Sequence, residues 1–554
     1  MNLRWKAQPA ALPRFTNLLK RPFPKHALIP LCLMLTSPTW ADTVNLTFGV
    51  IPPGKKSTVT LNATITNTPS SVSNQGTVSG TNFTNVLTDD PGVGGATDPT
   101  VLAVLPPCPT ITLAALNNST LGAAYTGAAT ASGGNGPYAY SQTGLLPTGL
   151  SRIDDAITGT TSAVGTFNFR ITATDSGSCT GFRDYSVVVG SVVAPGNLVI
   201  REFRSRGPAG IHDEYVEVVN KTAASLTLAA TDGSAGFGIA GQNVGGACPA
   251  GSTQLLASIP NGTVIPAGGF YLAANTTPGT GYSLMNYGGA LASTADSTWT
   301  NDLCDNSGVA LFSSSSTFDA TTRLDAAGFV GSTSPYIEGA GIPVPASTGA
   351  SQVAYLRNAP SGVIQDTGVN ANDFFLGSTN AATFGPVNAR LASPGPQNAA
   401  SEKASGLTFS LADPAKGATV FPNRWRTTTT PTTGTYYFRW RVTNNTGAPI
   451  TKLRIRVANV TTLNSPGYLL GGSQADFRLI ASPDVGISVP GAVTALGLTP
   501  ESPTTPGLDG GYHSSAFATL PGGTLANGAS VYVNVALRYA QAGAYAYFVS
   551  GEAK

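Results

Sequence analysis

Charge is scarce in this chain: Asp, Glu, Lys and Arg make up 10% of its 554 residues, against about 25% in typical soluble domains. Histidine is scarcer still. There are three in all, and only His212 and His513 lie beyond residue 41. Neither sits near a nucleophile-elbow pattern, so a Ser-His-Asp arrangement has no support in the sequence. No two cysteines stand two to four residues apart, which with so few histidines argues against zinc. A Walker loop, a zinc-protease motif, a dinucleotide fingerprint and EF-hand or nonapeptide calcium spacing are missing as well. Past residue 41 no apolar run reaches the ~20 residues a spanning helix needs. The expectation is a protein without catalytic residues.

Turn formers, by contrast, are plentiful. Gly 65 and Pro 40 punctuate a chain that is 41% hydrophobic, with apolar residues alternating against Ser, Thr and Asn. Alternation at period two between turn clusters reads as strands, and this much apolar content argues against disorder. The expected class is all-β: tandem Ig-like β-sandwich domains after a signal peptide, with length enough for several. Residues 1–41 carry the leader. Arg4, Lys6, Arg14, Lys20, Arg21 and Lys25 precede an apolar run from Ala27 to Leu35, and Thr39-Trp40-Ala41 ends in a small residue suited to cleavage. Without the leader, 24 basic and 28 acidic residues remain, a net charge of −4 in place of +2. The basic isoelectric point of the precursor is therefore no sign of nucleic-acid binding. The mature chain is expected to be secreted or held non-covalently at the cell surface, with no transmembrane segment.

Four cysteines follow the leader: Cys108, Cys179, Cys248 and Cys304. An even number in an exported chain favours disulfides, and proximity in sequence favours Cys108–Cys179 and Cys248–Cys304. Each bridge would close a loop of about 50 to 75 residues and contribute ~3–4 kcal/mol in the chain-entropy model.

Segment by segment, residues 42–106 read as an incomplete β domain. Its Ile51-Pro52-Pro53-Gly54 turn, alternating Ser57–Thr66 and the run from Ser73 to Val101 resemble the end of a bacterial surface repeat. Residues 107–194 hold the turns Gly136-Pro137-Tyr138, Leu146-Pro147-Thr148-Gly149-Leu150 and Ile157-Thr158-Gly159-Thr160. They also hold a strand in which Phe167, Phe169, Ile171 and Ala173 share one face. This segment resembles the Ig-like repeat family of cell-surface proteins, which implies a seven-strand sandwich. Between Leu198 and Asn220 the sequence LVIREFRSRGPAGIHDEYVEVVN gives two strand runs about a charged turn. In the second run Tyr215, Glu217 and Val219 point one way and Glu214, Val216 and Val218 the other. With Gly262–Leu272, Ser307–Phe312 and Ser393–Asn398, this hairpin resembles the lamin-tail domain and extends it over 195–399. In bacteria that family implies a mostly non-catalytic Ig-fold module of surface and adhesion proteins. Residues 400–554 read as a β-sandwich of unknown family, with Tyr436–Thr443 and Ile450–Val457 as a hairpin about Asn444-Asn445-Thr446-Gly447.

That hairpin carries the charge cluster. Phe438, Trp440 and Val442 would form its apolar face with Arg439 and Arg441 outward. Leu453, Ile455 and Val457 would point inward, with Lys452, Arg454 and Arg456 outward. Residues 400–554 hold twelve basic and seven acidic residues. Arg439, Arg441, Arg454 and Arg456 are accordingly candidate ligands for a polyanion or an envelope polysaccharide. The plainer reading is a solvated sheet face paired with acids elsewhere in the chain, because like charges side by side destabilise a sheet. Asp89, Asp90 and Asp98, in one Gly-rich loop, are candidate calcium ligands, as are Asp154, Asp155 and Asp175 at turns. Aspartates that merely build turns are the alternative. Glu202, Glu214 and Glu217 suggest metal or acid/base work at first sight. With no basic or nucleophilic partner identifiable, Glu214 and Glu217 read instead as exposed or hydrogen-bonded hairpin residues. The functional expectation is a non-catalytic structural or adhesive protein whose partner is a cell-surface polysaccharide or protein. A targeting module for a secreted hydrolase is the alternative, and a degradative enzyme within 400–554 a weaker one.

Overall fold

The computed structural model describes residues 111–243, 251–284, 294–349, 351–403, 406–465, 473–501 and 509–554 without interruption, and before them chiefly 71–90, 98–103 and 107–110. One compact unit ends at Thr110 and a second runs from Ile111 to Lys554. The all-β expectation holds. Among the described residues the helical elements are one turn, Asn370–Asp373, and a 3-10 turn, Pro521–Gly523. The leader's side chains lie outside the described residues, and so does Cys248.

In the first unit Ser71–Asn74 pairs with Thr100–Ala103 and Thr77–Gly80 with Phe83–Leu87, both antiparallel. Phe83–Leu87 is exposed along its whole length. This pairing supplies ladder hydrogen bonds and buries little apolar surface.

Residues 111–190 build the Ig-like sandwich. One sheet sets Ala124–Ala128 beside Ala156–Thr160 and Leu150–Ile153. The other runs Ala139–Gly144, Gly165–Thr174, Thr180–Gly190 and Ser119–Thr120. Phe169, Ile171 and Ala173 alternate inward along their strand, as period-two spacing requires. They pack with Ile111, Leu113, Tyr125 and Ile157 into one core. The last hairpin is closed by Asp175, whose carboxylate accepts backbone N–H bonds from Asn135, Gly177 and Cys179. These bonds, with Asn135 first, hold its pKa below the usual carboxylate range, which supports the turn-building reading of this residue.

In residues 195–399 a seven-stranded sheet faces a four-stranded one. The first runs Ser297–Trp299, Phe270–Asn275, Tyr215–Asn220, Leu198–Arg204, Val353–Arg357, Phe374–Ser378 and Arg390–Leu391. The second runs Thr253–Pro260, Gly236–Gln242, Gly308–Phe312 and Arg323–Ala327. The Leu198–Asn220 hairpin forms as expected, with a bulge between Ile200 and Glu202. Val216 and Val218 enter the main core. Tyr215, Glu217 and Val219, on the opposite face, are buried too. Both faces of this sheet are therefore covered.

The last segment departs from expectation at its hairpin. Thr433–Asn444 pairs with Ser530–Gln541, Leu407–Leu411 and Arg424–Thr430 in one sheet. Leu453–Val460 lies in another, between Ser515–Ala518 and Tyr547–Ala553. The two runs are thus not hydrogen-bonded neighbours. Their apolar faces meet across the core instead, where Phe438 and Val442 join Leu453, Ile455 and Val457. The chain makes this crossing at Asn444, whose Nδ2 donates to the Ala448 and Leu525 carbonyls. The same core takes in Leu356, Phe375 and Ala392 from the preceding segment, so the position 399/400 separates no self-contained beads. Residues 195–554 are expected to melt in one transition and residues 400–554 alone to show none, as differential scanning calorimetry would read.

Candidate functional site

The strand Leu453–Val460 overturns the expected surface. Lys452 stays part-exposed at its N-terminal edge, but Arg454 and Arg456, taken as outward-facing ligands, are 0% exposed. Their guanidinium groups enter a seam against the sheet of residues 195–399. Arg454 lies within 3.1 Å of Glu552 and 2.5 Å of Glu501, and contacts Glu402 as well. Arg456 donates to Glu552 at 2.6 Å and to the His513 carbonyl at 3.0 Å. Lys452 closes the edge with Glu402 at 2.8 Å and Glu501 at 3.6 Å. From the facing hairpin, Arg201 approaches Glu217 at 3.5 Å and Glu552 at 3.9 Å. Glu202 accepts from the Tyr215 hydroxyl and the Gly395 N–H, and meets His513 Nδ1 at 3.1 Å. The pairing half of the plainer reading is borne out: the acids that answer these arginines come from elsewhere in the chain.

Burial and proximity set the protonation of this layer. Burial alone would raise Glu552, yet Arg456, Arg454 and Arg201 draw it down to about 2. Burial, with Arg201 and Arg456 nearby, pushes His513 down to about 4. Burial raises Glu217 to about 8, Arg201 opposing and Glu202 adding to the rise. Away from the seam, burial lifts Glu214 to about 9. Its carboxyl accepts from Leu303 N–H, Asn275 Nδ2 and Trp299 Nε1. Glu214 and Glu217 are therefore hydrogen-bonded, as one branch of the sequence reading held, and fully buried rather than exposed.

Arg439 and Arg441 share the outer face of Thr433–Asn444. Only Arg441 is exposed. Arg439 is covered by the 421–422 loop, donating to the Pro422 carbonyl and Asn534 Oδ1 at 3.1 Å each, with its guanidinium 5.5 Å from the Phe421 ring. The expectation of four outward arginines thus stands for one. Further along the same sheet the structure exposes aromatic residues that charge reading passed over. Phe421 and Trp425 are 48% and 49% exposed, with ring centroids 5.9 Å apart and nearly perpendicular. Trp425 lies on the strand Arg424–Thr430, directly opposite Tyr437, and that strand is exposed nearly throughout. A single aromatic amid Arg and Thr on a polar strand was the available signal.

Asp89, Asp90 and Asp98 do share a loop. Asp89 Oδ1 accepts the Asp98 N–H at 3.2 Å and Asp90 Oδ1 the Gly92 N–H at 2.9 Å, bonds that build the turn. Asp155 accepts from Thr130 Oγ1, and Asp154 takes a positive φ of 52° at its turn. Among the described residues, Asp325, Glu338 and Asp366 are the acids whose oxygens all lie within 4.8 Å of one another. Arg357 bridges Asp325 and Asp366, and Arg323 approaches Glu338 at 3.6 Å, so cations already answer that group. His212 Nδ1 is bonded to Thr280 Oγ1 at 2.9 Å. Cys108, Cys179 and Cys304 are disulfide-bonded; the expected partner of Cys304, Cys248, lies outside the described residues. No helix among the described residues is long and apolar enough to cross a membrane.

Residues 99–190 match the family model described as "Putative Ig domain". The match starts eight residues before the segment boundary expected from sequence and ends four before its close. It agrees with the sandwich seen from Ile111 onward. A solved structure of a DUF4876 family protein from Bacteroides thetaiotaomicron is 12% identical, with 48% of this chain and 94% of that one covered. Its TM-score of 0.22 carries no argument. No curated protein matches the chain. The Ig-like, all-β architecture is compatible with a non-enzyme.

Removing one partner from a buried ion pair strands the other, at a cost of about 3–5 kcal/mol. Arg456→Met is expected to lose that much stability, whereas Arg441→Met on the open face should stay within about 0.5 kcal/mol of wild type. Urea unfolding of the two variants checks the contrast.

Proposed function

We propose that this is an exported, non-catalytic adhesive protein that holds an envelope polysaccharide or a surface protein. In this reading residues 1–41 are removed on export and residues 42–106 act as a surface-repeat spacer. The Ig-like and lamin-tail-like modules (107–194 and 195–399) then carry the terminal sandwich outward, and the product is secreted or cell-surface associated. The observation that carries the binding role is the open face formed by Phe421, Trp425 and Arg441. Two large rings left half in water, Trp425 on a polar strand and Phe421 on the loop before it, are a costly surface feature unless a partner covers them. Flat rings offer apolar contact to sugar faces or side chains, and the exposed guanidinium offers bidentate bonds to carboxylates or phosphates.

Charge reversal at Arg439 or Arg454 would report on folding, since both are buried. The informative variants are Trp425→Ala and Arg441→Glu. Each is expected to weaken retention of the mature chain on isolated envelope polysaccharide at least tenfold, with an unchanged melting temperature. Unchanged retention in both variants rejects this face as the binding surface. Chelator added to the same assay tests Asp89, Asp90 and Asp98 as calcium ligands, loss of retention being the outcome that supports them.

A further inference from the structure

The seam contains five carboxylates, Glu202, Glu217, Glu402, Glu501 and Glu552, and four permanent cations, Arg201, Lys452, Arg454 and Arg456. His513 is the remaining titratable group with a strong tie to it. In a layer shut off from water except at its Lys452 edge, a surplus negative charge is costly, so one proton completes the balance. Either His513 or one carboxylate carries it.

The hydrogen bonds distinguish the acids. Glu402 is held by Lys452 and Arg454, Glu501 by Arg454 and the Ser515 hydroxyl, and Glu552 by Arg456, Arg454 and Gln397. Glu202 accepts from Tyr215 and Gly395 and has His513 Nδ1 at 3.1 Å. Glu217 has much less. Its Oε2 accepts the Gln397 N–H at 2.5 Å, while its buried Oε1 accepts no hydrogen bond. The nearest cation, Arg201, stands 3.5 Å away, is shared with Glu552 and donates its hydrogen bond to Gln397 Oε1. Glu217 also sits directly opposite Glu202 in the ladder, the like-charge pairing that destabilises a sheet. Every strand packed on it adds to the account. Leu198–Arg204 brings Arg201 and Glu202, and Phe270–Asn275 sets apolar Leu272 opposite. The 393–402 loop brings Gln397 and Glu402, Leu453–Val460 brings Arg454 and Arg456, and Tyr547–Ala553 brings Glu552. His513, Tyr215 and Tyr282 complete the surroundings.

We propose that the joint between residues 195–399 and 400–554 is a proton-balanced clasp, in which one proton on the Glu217 carboxyl neutralises the buried seam and its loss at alkaline pH loosens the two sandwiches from each other. His513 stays neutral, its Nδ1 facing the Glu202 carboxylate at 3.1 Å. The raised Glu217 and lowered His513 values noted above agree with this placement.

The sign follows from linkage. Glu217 binds its proton up to about pH 8 when folded and to about 4.5 when unfolded, so its contribution falls as pH rises through that window. His513, neutral when folded down to about pH 4, favours the folded state increasingly as pH rises to about 6.5. The two slopes cancel between about 4.5 and 6.5, and above that the Glu217 proton alone sets the seam's dependence. Glu214, raised to about 9, and Glu338, raised to about 7, lie outside the seam and contribute equally with or without Glu217. Glu217→Gln supplies a neutral side chain that needs no proton. Between pH 6.5 and 8 the unfolding constant of wild type is expected to rise about 15-fold relative to that of E217Q, at nearly tenfold per pH unit at first and with a falling slope as the folded-state carboxyl itself begins to titrate near pH 8. A ratio constant within twofold overturns the proposal. The His513 ring proton shift in the wild-type protein gives a readout independent of that variant. An imidazole neutral from pH 8 to 5 is expected, and an imidazolium at pH 7 would put the proton on His513 and overturn the assignment.

Discussion

A layer of paired charge buried between two sheets holds the C-terminal half of this protein in one piece. Arg454 and Arg456 reach across it from one strand, Arg201 and Glu202 from another, and Glu552 lies between them. In a chain with 10% charged residues, this concentration at one site is the main electrostatic feature of the fold. A buried ion pair adds little net stability over an apolar contact, but a mismatched one is heavily penalised. The layer therefore acts chiefly as a register device, admitting one docking of the sheets in which every guanidinium meets a carboxylate.

The apolar core follows the same joint. Leu356, Phe375 and Ala392 belong to the strands of residues 195–399 yet pack with Leu453, Ile455 and Val533. Phe375 also lies against Tyr512, ring centroids 5.0 Å apart. The Ig-like sandwich between 111 and 190 is organised differently, with its own core of Ile111, Tyr125, Ile157 and Ile171. The Ig-like sandwich thus has an apolar core of its own, while residues 195–399 and 400–554 share one.

The open face at Phe421, Trp425 and Arg441 stands in contrast to the seam. Arg439, two residues from Arg441 on the same face, is roofed by the 421–422 loop. One short loop thereby turns a row of two arginines into one buried structural cation and one accessible one, and leaves its own Phe421 beside Trp425. Of the four arginines that alternation places outward, Arg439, Arg454 and Arg456 are buried and Arg441 alone is exposed.

Period-two alternation and turn residues were enough to read the all-β class, the strand faces of 165–174 and 215–220, and the Ig-like resemblance that the family match supports. They are local properties, fixed by the way successive side chains alternate along a strand. Alternation also told rightly which way Arg454 points relative to Leu453 and Ile455. It was silent on whether that direction ends in water or in Glu501 and Glu552, which lie 47 and 98 residues further on. The supposed hairpin about Asn444–Gly447 failed for the same reason: adjacency in sequence does not decide whether two strands pair edge to edge or face each other across a core. Sequence alone determined the strands and their two faces. Only the tertiary structure decided what covers each face, because burial and charge pairing depend on partners brought together by the docking of whole sheets.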